Sequence, residues 1–414
     1  MHTRTRVLFV AEAVTLAHVA RPIALAADLP PDEFEVVLAC ARRYREFFPQ
    51  RGWEIHDIDS IPPTEFASAL ANGRRLYDLA TLRRYVDEDL RVLERVRPAV
   101  VVGDFRLSLA VSARLSRIRY VSLCNAYWSP YAKVSYEIPS HPMTKVVGRQ
   151  LASMLFRFVR PLAFAYHALP MNRLRREFGL EGLGLDLRKV YTDADYVAYA
   201  DIPQIIPTRD LPSNHSYIGP ILWSPPIAEP PWMDSLDAAT PLVYVTMGSS
   251  GDAALVPRIV EGLAALRATI VIATAGAPIP GALPQNVRCA DYLPGEAFAK
   301  RAQLFICNGG SPTCQQALIE GVPVLGITGN MDQFLNMDFI SARGAGLRLR
   351  ADEISVEGLR AAARRMLDDQ GFVTAAGQLG RELGAYDTNA RFRAILRVAT
   401  RTASMNAPLA ANST

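Results

Sequence analysis

Several things are scarce in this 414-residue chain, and each scarcity closes a route. Cysteines number 5, an odd count of widely spaced residues (Cys40, Cys124, Cys289, Cys307 and Cys314) lying mostly inside apolar runs, so reduced core thiols are expected and not a disulfide framework. The 6 histidines form no cluster with cysteine at ligand spacing, which argues against a dedicated transition-metal site. Net charge is nearly absent: 45 Lys and Arg against 41 Asp and Glu leave +4, spread along the chain chiefly as Arg on helical faces, so nucleic acid is not an expected partner. Long apolar runs are missing too. The most hydrophobic stretch, Leu151 to Leu169, is broken by Arg157, Arg160 and Pro161 and makes a poor membrane span. It reads as a helix that packs, walls a pocket for a hydrophobic molecule, or rests on a membrane surface. Residues 1–6 run straight into the strand Val7-Leu8-Phe9-Val10 with no room for a signal peptide, so a cytoplasmic protein is expected.

What is present is an ordinary globular composition, 50% hydrophobic and 21% charged, in a chain long enough for two domains of roughly 200 residues. A strand-and-helix alternation runs through residues 6–10, Phe34 to Cys40, Trp53 to Ile58, Pro98 to Phe105, Tyr120 to Asn125 and Val197 to Ala200. A single helix is read from Pro62 to Arg97. Such alternation makes βαβ units and a parallel sheet. Five prolines, Pro220, Pro225, Pro226, Pro230 and Pro231, then mark a linker, and the pattern restarts at Pro241 with further strands near Thr269, Val287, Leu304, Val322 and Ala345. The expected boundaries are 1–218 for the first domain, 219–240 for the linker and 241–385 for the second domain, with a helix over 386–401 and a disordered tail over 402–414.

The chemistry concentrates after Cys307. An apolar strand, Leu304 to Cys307, meets Asn308-Gly309-Gly310-Ser311-Pro312-Thr313, where two glycines let the backbone turn into a helix start. Free N–H groups there and the hydroxyls of Ser311 and Thr313 suit phosphate oxygens. A second strand ends at Gly329-Asn330-Met331-Asp332-Gln333, a carboxylate and an amide able to grip hydroxyl groups, which together suggest a sugar joined to a diphosphate. Gly248-Ser249-Ser250-Gly251 offers a further strand-to-helix anion loop. In the first half, His18 lies just beyond the first strand and Asp104 at the tip of a buried one, at the same edge of a parallel sheet. Each has a plainer reading: His18 as a loop cap, Asp104 as the N-cap of a helix from Leu107 to Leu115.

Gly309, Gly310, Thr313, Ala317, Leu318, Gly321, Val322, Pro323, Asp332, Gln333 and Asn336, in this order and spacing, resemble the C-terminal signature of nucleotide-sugar-dependent glycosyltransferases. The family is the GT-B-fold one that includes plant UDP-glycosyltransferases and bacterial macrolide or antibiotic glycosyltransferases. Two positions depart: Asn308 stands where the family has a diphosphate-binding His, and Pro312 replaces a glycine. The resemblance implies an α/β GT-B fold, two Rossmann-like doubly wound parallel-sheet domains facing across a cleft, with the final helix crossing back to the first. It implies an inverting transfer without metal or cofactor, in which His18 is the catalytic base and Asp104 its orienter. The co-substrate would be a UDP- or dTDP-sugar held by Gly248, Ser249, Ser250, Asn308, Gly309, Gly310, Ser311 and Thr313, with Asp332 and Gln333 on the sugar and Tyr292 stacked on the base. The acceptor would be a hydrophobic small molecule or lipid. Peripheral membrane contact and a homodimer stay open. The substitution at Asn308 keeps alive a non-catalytic auxiliary protein, and the fold also admits a nucleotide-sugar epimerase.

Overall fold

The buried apolar runs become parallel strands because β-branched residues packed on both faces favour a pleated ribbon. The computed structural model describes residues 4–49, 51–140, 148–248, 250–276 and 282–405. In the first half β1 (Thr5–Ala11), β2 (Phe34–Cys40), β3 (Glu54–Asp57), β4 (Val100–Asp104), β5 (Arg119–Cys124), β6 (Tyr196–Tyr199) and β7 (His215–Tyr217) form one sheet in the order β3-β2-β1-β4-β5-β6-β7. In the second half β8 (Leu242–Thr246), β9 (Thr269–Ala273), β10 (Val287–Ala290), β11 (Leu304–Cys307), β12 (Val324–Thr328) and β13 (Gly346–Arg350) form another, in the order β10-β9-β8-β11-β12-β13. Every pairing within both is parallel.

Each sheet reverses its strand order once, between β1 and β4 in the first and between β8 and β11 in the second. Ligands of such sheets bind where the order reverses, beyond the carboxyl ends of those strands. Register carries this down to single residues: Ala11 pairs with Asp104, and Thr246 with Cys307. The halves do not merely touch. One apolar cluster runs from Tyr127, Val197 and Tyr199 to Phe298, Cys314 and Leu335. The last helix, Thr388–Met405, returns to the first sheet, where Phe392, Leu396 and Ala399 join its core and Arg393 and Arg397 pair with Asp28 and Glu33.

Three expectations are revised. The single helix from Pro62 to Arg97 is two, Pro63–Ala71 and Leu79–Val96. Gly73 takes a φ of 61° between them, and Asp78 caps the second by accepting the N–H of Thr81 at 2.7 Å. The strand His215–Tyr217 has no apolar run to announce it; it is a three-residue edge strand, half-buried throughout. The final helix continues to Met405, past the expected start of the tail, and residues 406–414 lie outside the described ones.

Candidate active site

Both reversal points open onto one cavity of about 890 Å³. Its first-half wall is apolar, with Phe66, Leu70, Phe105, Phe164 and Tyr191, and carries His18 and Asp104; its second-half wall carries Ser250, Gly310, Ser311, Pro312, Asp332 and Gln333.

His18 sits in the first turn of the helix Leu16–Ala27, not on the loop before it. Its Nδ1 meets Asp104 Oδ1 at 2.7 Å. A carboxylate there assigns the ring proton to Nδ1 and leaves the Nε2 lone pair to the cavity. Phe105 lies flat on the imidazole, ring centroids 4.7 Å apart and planes 12° off parallel. To do so its backbone takes a φ of 60°, a left-handed conformation that is strained for a bulky side chain. Asp104 is fully buried and caps no helix; the following helix, Leu109–Leu115, starts after Ser108.

A group the sequence did not flag completes this pair. Arg21 donates from Nε to Asp104 Oδ2 and from Nη2 to Oδ1, both at 2.7 Å, and is itself buried. Burial alone would raise the Asp104 carboxyl, but the charge of Arg21 and the hydrogen bonds from His18 and Arg21 outweigh it and hold the group below the usual carboxylate range. Arg21 also donates to Asn125 Oδ1 at 2.8 Å, and Asn125 Nδ2 donates to Ser311 Oγ at 3.0 Å and to Asp201 Oδ2 at 3.1 Å. A continuous hydrogen-bonded path therefore joins the imidazole in one half to the glycine turn at Gly309 to Ser311 in the other. Arg21 was findable, since it follows His18 by three residues and so shares its helix face. Asn125 had only its place at the end of β5 to mark it.

Gly309 makes the turn possible. Its φ is 84°, and a Cβ there would stand 2.7 Å from Met337 Cγ and from Thr328 Cγ2. Asn336 holds the turn by donating to the Gly309 carbonyl at 2.9 Å. Gly310 is the N-cap of the helix Ser311–Ile319, and Pro312 fits its first turn at the cost of one N–H, so the amides of Ser311 and Thr313 are the donors that remain. Because Ser311 Oγ accepts from Asn125, its own proton is available to a ligand.

The remaining expected residues divide. Ser250 is on the cavity wall and Ser249 lies outside the described residues. Gly248, Gly309 and Thr313 shape the turns without reaching the wall. Asn308 is buried behind it, its Oδ1 accepting the Gly310 N–H and its Nδ2 donating to Ser250 Oγ, each at 3.0 Å. It clamps the two glycine loops together. Asp332 faces the cavity with Oδ1 accepting from Trp128 Nε1 at 2.8 Å across the two halves. Gln333 reaches the wall with most of its amide already engaged, one Nε2 hydrogen remaining for a ligand. Its Oε1 accepts the N–H groups of Gly329 (2.8 Å) and Asn330 (3.3 Å), and its Nε2 donates to the Ser250 carbonyl, because the helix Met331–Ala342 needs a capping box at its start. Tyr292 is not brought to the cavity either. It follows the edge strand β10, is 48% exposed, and packs edge-on against Phe47 of the first half. A guanidinium does reach the wall that the sequence reading missed: Arg258, in the first turn of Val256–Ala264, anchored by a 3.1 Å bond to the Ile354 carbonyl.

With this geometry in place, comparison with known proteins is direct. Residues 257–391 match the model of the erythromycin biosynthesis protein CIII-like C-terminal domain. The chain is 46% identical over 381 residues to a PGL/p-HBAD biosynthesis glycosyltransferase of Mycobacterium tuberculosis, covering 92% of this chain and 89% of that one. It is equally identical to a PGL/p-HBAD biosynthesis rhamnosyltransferase of Mycobacterium bovis, over 92% and 85% of the two chains. The chain belongs to this glycosyltransferase family. Among solved structures, the spinosyn rhamnosyltransferase SpnG complexed with thymidine diphosphate superposes with a TM-score of 0.67 at 21% identity, over 95% of this chain and 100% of that one. The glycosyltransferase thus has the GT-B fold, with the two parallel sheets and the cleft between them that the resemblance implied. Among the described residues, no helix of the glycosyltransferase is long and apolar enough to cross a membrane, and no three His, Cys, Asp or Glu are grouped to hold a metal ion.

Proposed function

We propose that this enzyme moves a deoxysugar such as rhamnose from its dTDP or UDP carrier to a hydroxyl of a largely apolar acceptor, by single displacement with inversion. The observation that carries the reading is that one cavity holds both an oriented imidazole and the start of the helix Ser311–Ile319 on its opposite wall. His18 Nε2 takes the proton of the acceptor hydroxyl as that oxygen attacks the anomeric carbon. The bond from that carbon to the diphosphate breaks, and the nucleoside diphosphate leaves with its electron pair. Its growing charge falls on the Ser311 amide, the Ser311 and Ser250 hydroxyls, and Arg258. Arg258 is assigned the positive charge that Asn308 lacks. No metal or cofactor enters this reading. Asp332, tethered by Trp128, is left for a sugar hydroxyl, and the apolar wall around Phe66, Phe105 and Phe164 takes the acceptor. The rhamnosyltransferase name of the Mycobacterium bovis relative and the nucleotide bound in SpnG support the donor class.

The test is His18→Ala, assayed with dTDP-rhamnose and a hydroxylated aromatic acceptor and titrated with dTDP by calorimetry. Transfer should vanish while dTDP affinity stays within a few-fold. A variant that still transfers removes His18 from the chemistry, and a wild-type protein that binds no nucleoside diphosphate overturns the enzymatic reading as a whole.

A further inference from the structure

The helix Arg149–Glu177 is apolar on two opposite faces, and among the described residues only one of them packs on protein. Its inner face sends Phe156, Phe164 and His167 to the wall of the cavity. Its outer face carries Leu151, Met154, Leu155, Phe158, Val159 and Leu162 at spacings of three and four residues, so all six lie on one stripe. All six are exposed, Phe158 at 77% and Leu162 at 69%. Water-facing helix surfaces of soluble proteins are polar, and a contiguous apolar stripe of this kind marks a contact surface.

Charge says what it contacts. From Gly148 to Arg176 the sequence holds six arginines and no Asp or Glu; the first carboxylate is Glu177. Arg173 and Arg176, both exposed, continue the outer face beyond the apolar stripe, with Arg157 exposed on its flank. Arg75 lies 4.1 Å over the ring of Tyr166, the next residue of the stripe. An apolar stripe with basic and no acidic residues is what an anionic lipid surface selects, the side chains entering the acyl boundary and the guanidiniums meeting phosphates.

We propose that residues 151–176 of this helix form a membrane-docking element that seats the enzyme on anionic lipid. The stripe is roughly 23 Å long, and no helix among the described residues can cross a bilayer, so the element lies along the surface. Since its inner face walls the cavity, docking places the acceptor side of the active site against the lipid from which an apolar acceptor would be drawn. Only this last consequence rests on the proposed function; the docking itself does not.

Flotation of the full chain with vesicles tests it. Wild-type protein should float with vesicles of phosphatidylglycerol and phosphatidylcholine and much less with phosphatidylcholine alone, and salt should weaken the binding. Phe158→Ser with Leu162→Ser, both exposed and outside the catalytic machinery, should lower partitioning by at least ~10-fold with the same melting temperature and the same turnover of a water-soluble acceptor. Arg173→Glu with Arg176→Glu should remove the preference for anionic lipid. Wild-type protein that stays in the aqueous fraction with both vesicle types overturns the proposal. So does a dimer in gel filtration that the serine variant dissociates, since a second copy would then cover the stripe.

Discussion

Replacing Asp104 by Asn puts the most strain on the reasoning about the site, because one carboxylate serves two partners. It orients His18 through Oδ1 and neutralises a buried Arg21 through both oxygens. For catalysis, an orienting carboxylate whose whole charge faces a histidine is worth about 10⁴ in turnover when replaced by its amide. Here Arg21 already compensates part of that charge, so the expected loss is smaller, roughly 100- to 1,000-fold in kcat. For stability, an unpaired arginine that is 4% exposed should cost about 3–5 kcal/mol, which lowers Tm by roughly 10 °C for a domain of this size. The two effects separate in Asp104→Asn combined with Arg21→Gln, which removes both charges and restores neutral hydrogen bonding. Calorimetric Tm should recover most of its value while kcat in a coupled assay of nucleoside diphosphate release stays low. Recovery of kcat along with Tm would refute the reasoning, since the carboxylate would then act only by keeping the domain folded.

The same double variant should change the acid limb of stability. Asp104 has a folded value below its unfolded one, so its contribution is present above the unfolded carboxylate value of about 4 and is lost as pH falls through the folded value; melting curves of the double variant should decline less steeply below that pH than the wild type. Gly309→Ala forces a left-handed φ on a residue whose Cβ meets Met337 and Thr328, so dTDP affinity by calorimetry should fall at least ~10-fold and Tm should drop with it. Arg258→Gln should lower kcat/KM for the donor by about 10-fold, through a lower kcat as well as a raised donor KM, with the acceptor KM unaffected, and Arg258→Lys should recover part of the loss. An unchanged kcat/KM for the donor would return the diphosphate charge to the helix start alone.

Much of this was legible in the sequence, and the reason is local. The two glycine turns, the strand tip that carries Asp104, the first βα unit that carries His18, and the order of the βα units all depend on short stretches whose glycines and apolar runs state their own conformation. What was not legible depends on who else wants a side chain. Gln333 reads as a sugar ligand by position, but the backbone N–H groups at the start of the helix Met331–Ala342 engage its Oε1, which no sequence pattern announces. Asn308 reads as a substitute for a diphosphate histidine, yet its carboxamide is what spans the gap between Gly310 and Ser250. Tyr292 follows a strand as the aromatic of the base site should, but the strand is at the sheet edge, two places from the reversal point. Phe105 has no signal at all, because its left-handed backbone is imposed by tertiary packing on a residue whose own preference opposes it.

The same competition explains why the two halves form one site. The segment from Asn125 to Ser140 belongs by sequence to the first sheet, and its polar groups find partners on the second. Asn125 donates to Ser311, Trp128 donates to Asp332, Glu137 pairs with Arg348 and Arg350, and the Ser140 amide donates to the Gly329 carbonyl. Four of these sixteen residues bind this loop to the second half, while β5, from which it springs, lies next to β4 and Asp104. A shift of the second half would therefore pull at Asn125, which also holds Arg21, and through it at the carboxylate that sets the imidazole. The imidazole of His18 is oriented by a network that is complete only when the turn at Gly309 to Ser311 is in place, so under the proposed function the geometry that would accept a proton and the geometry that would receive a diphosphate are assembled together.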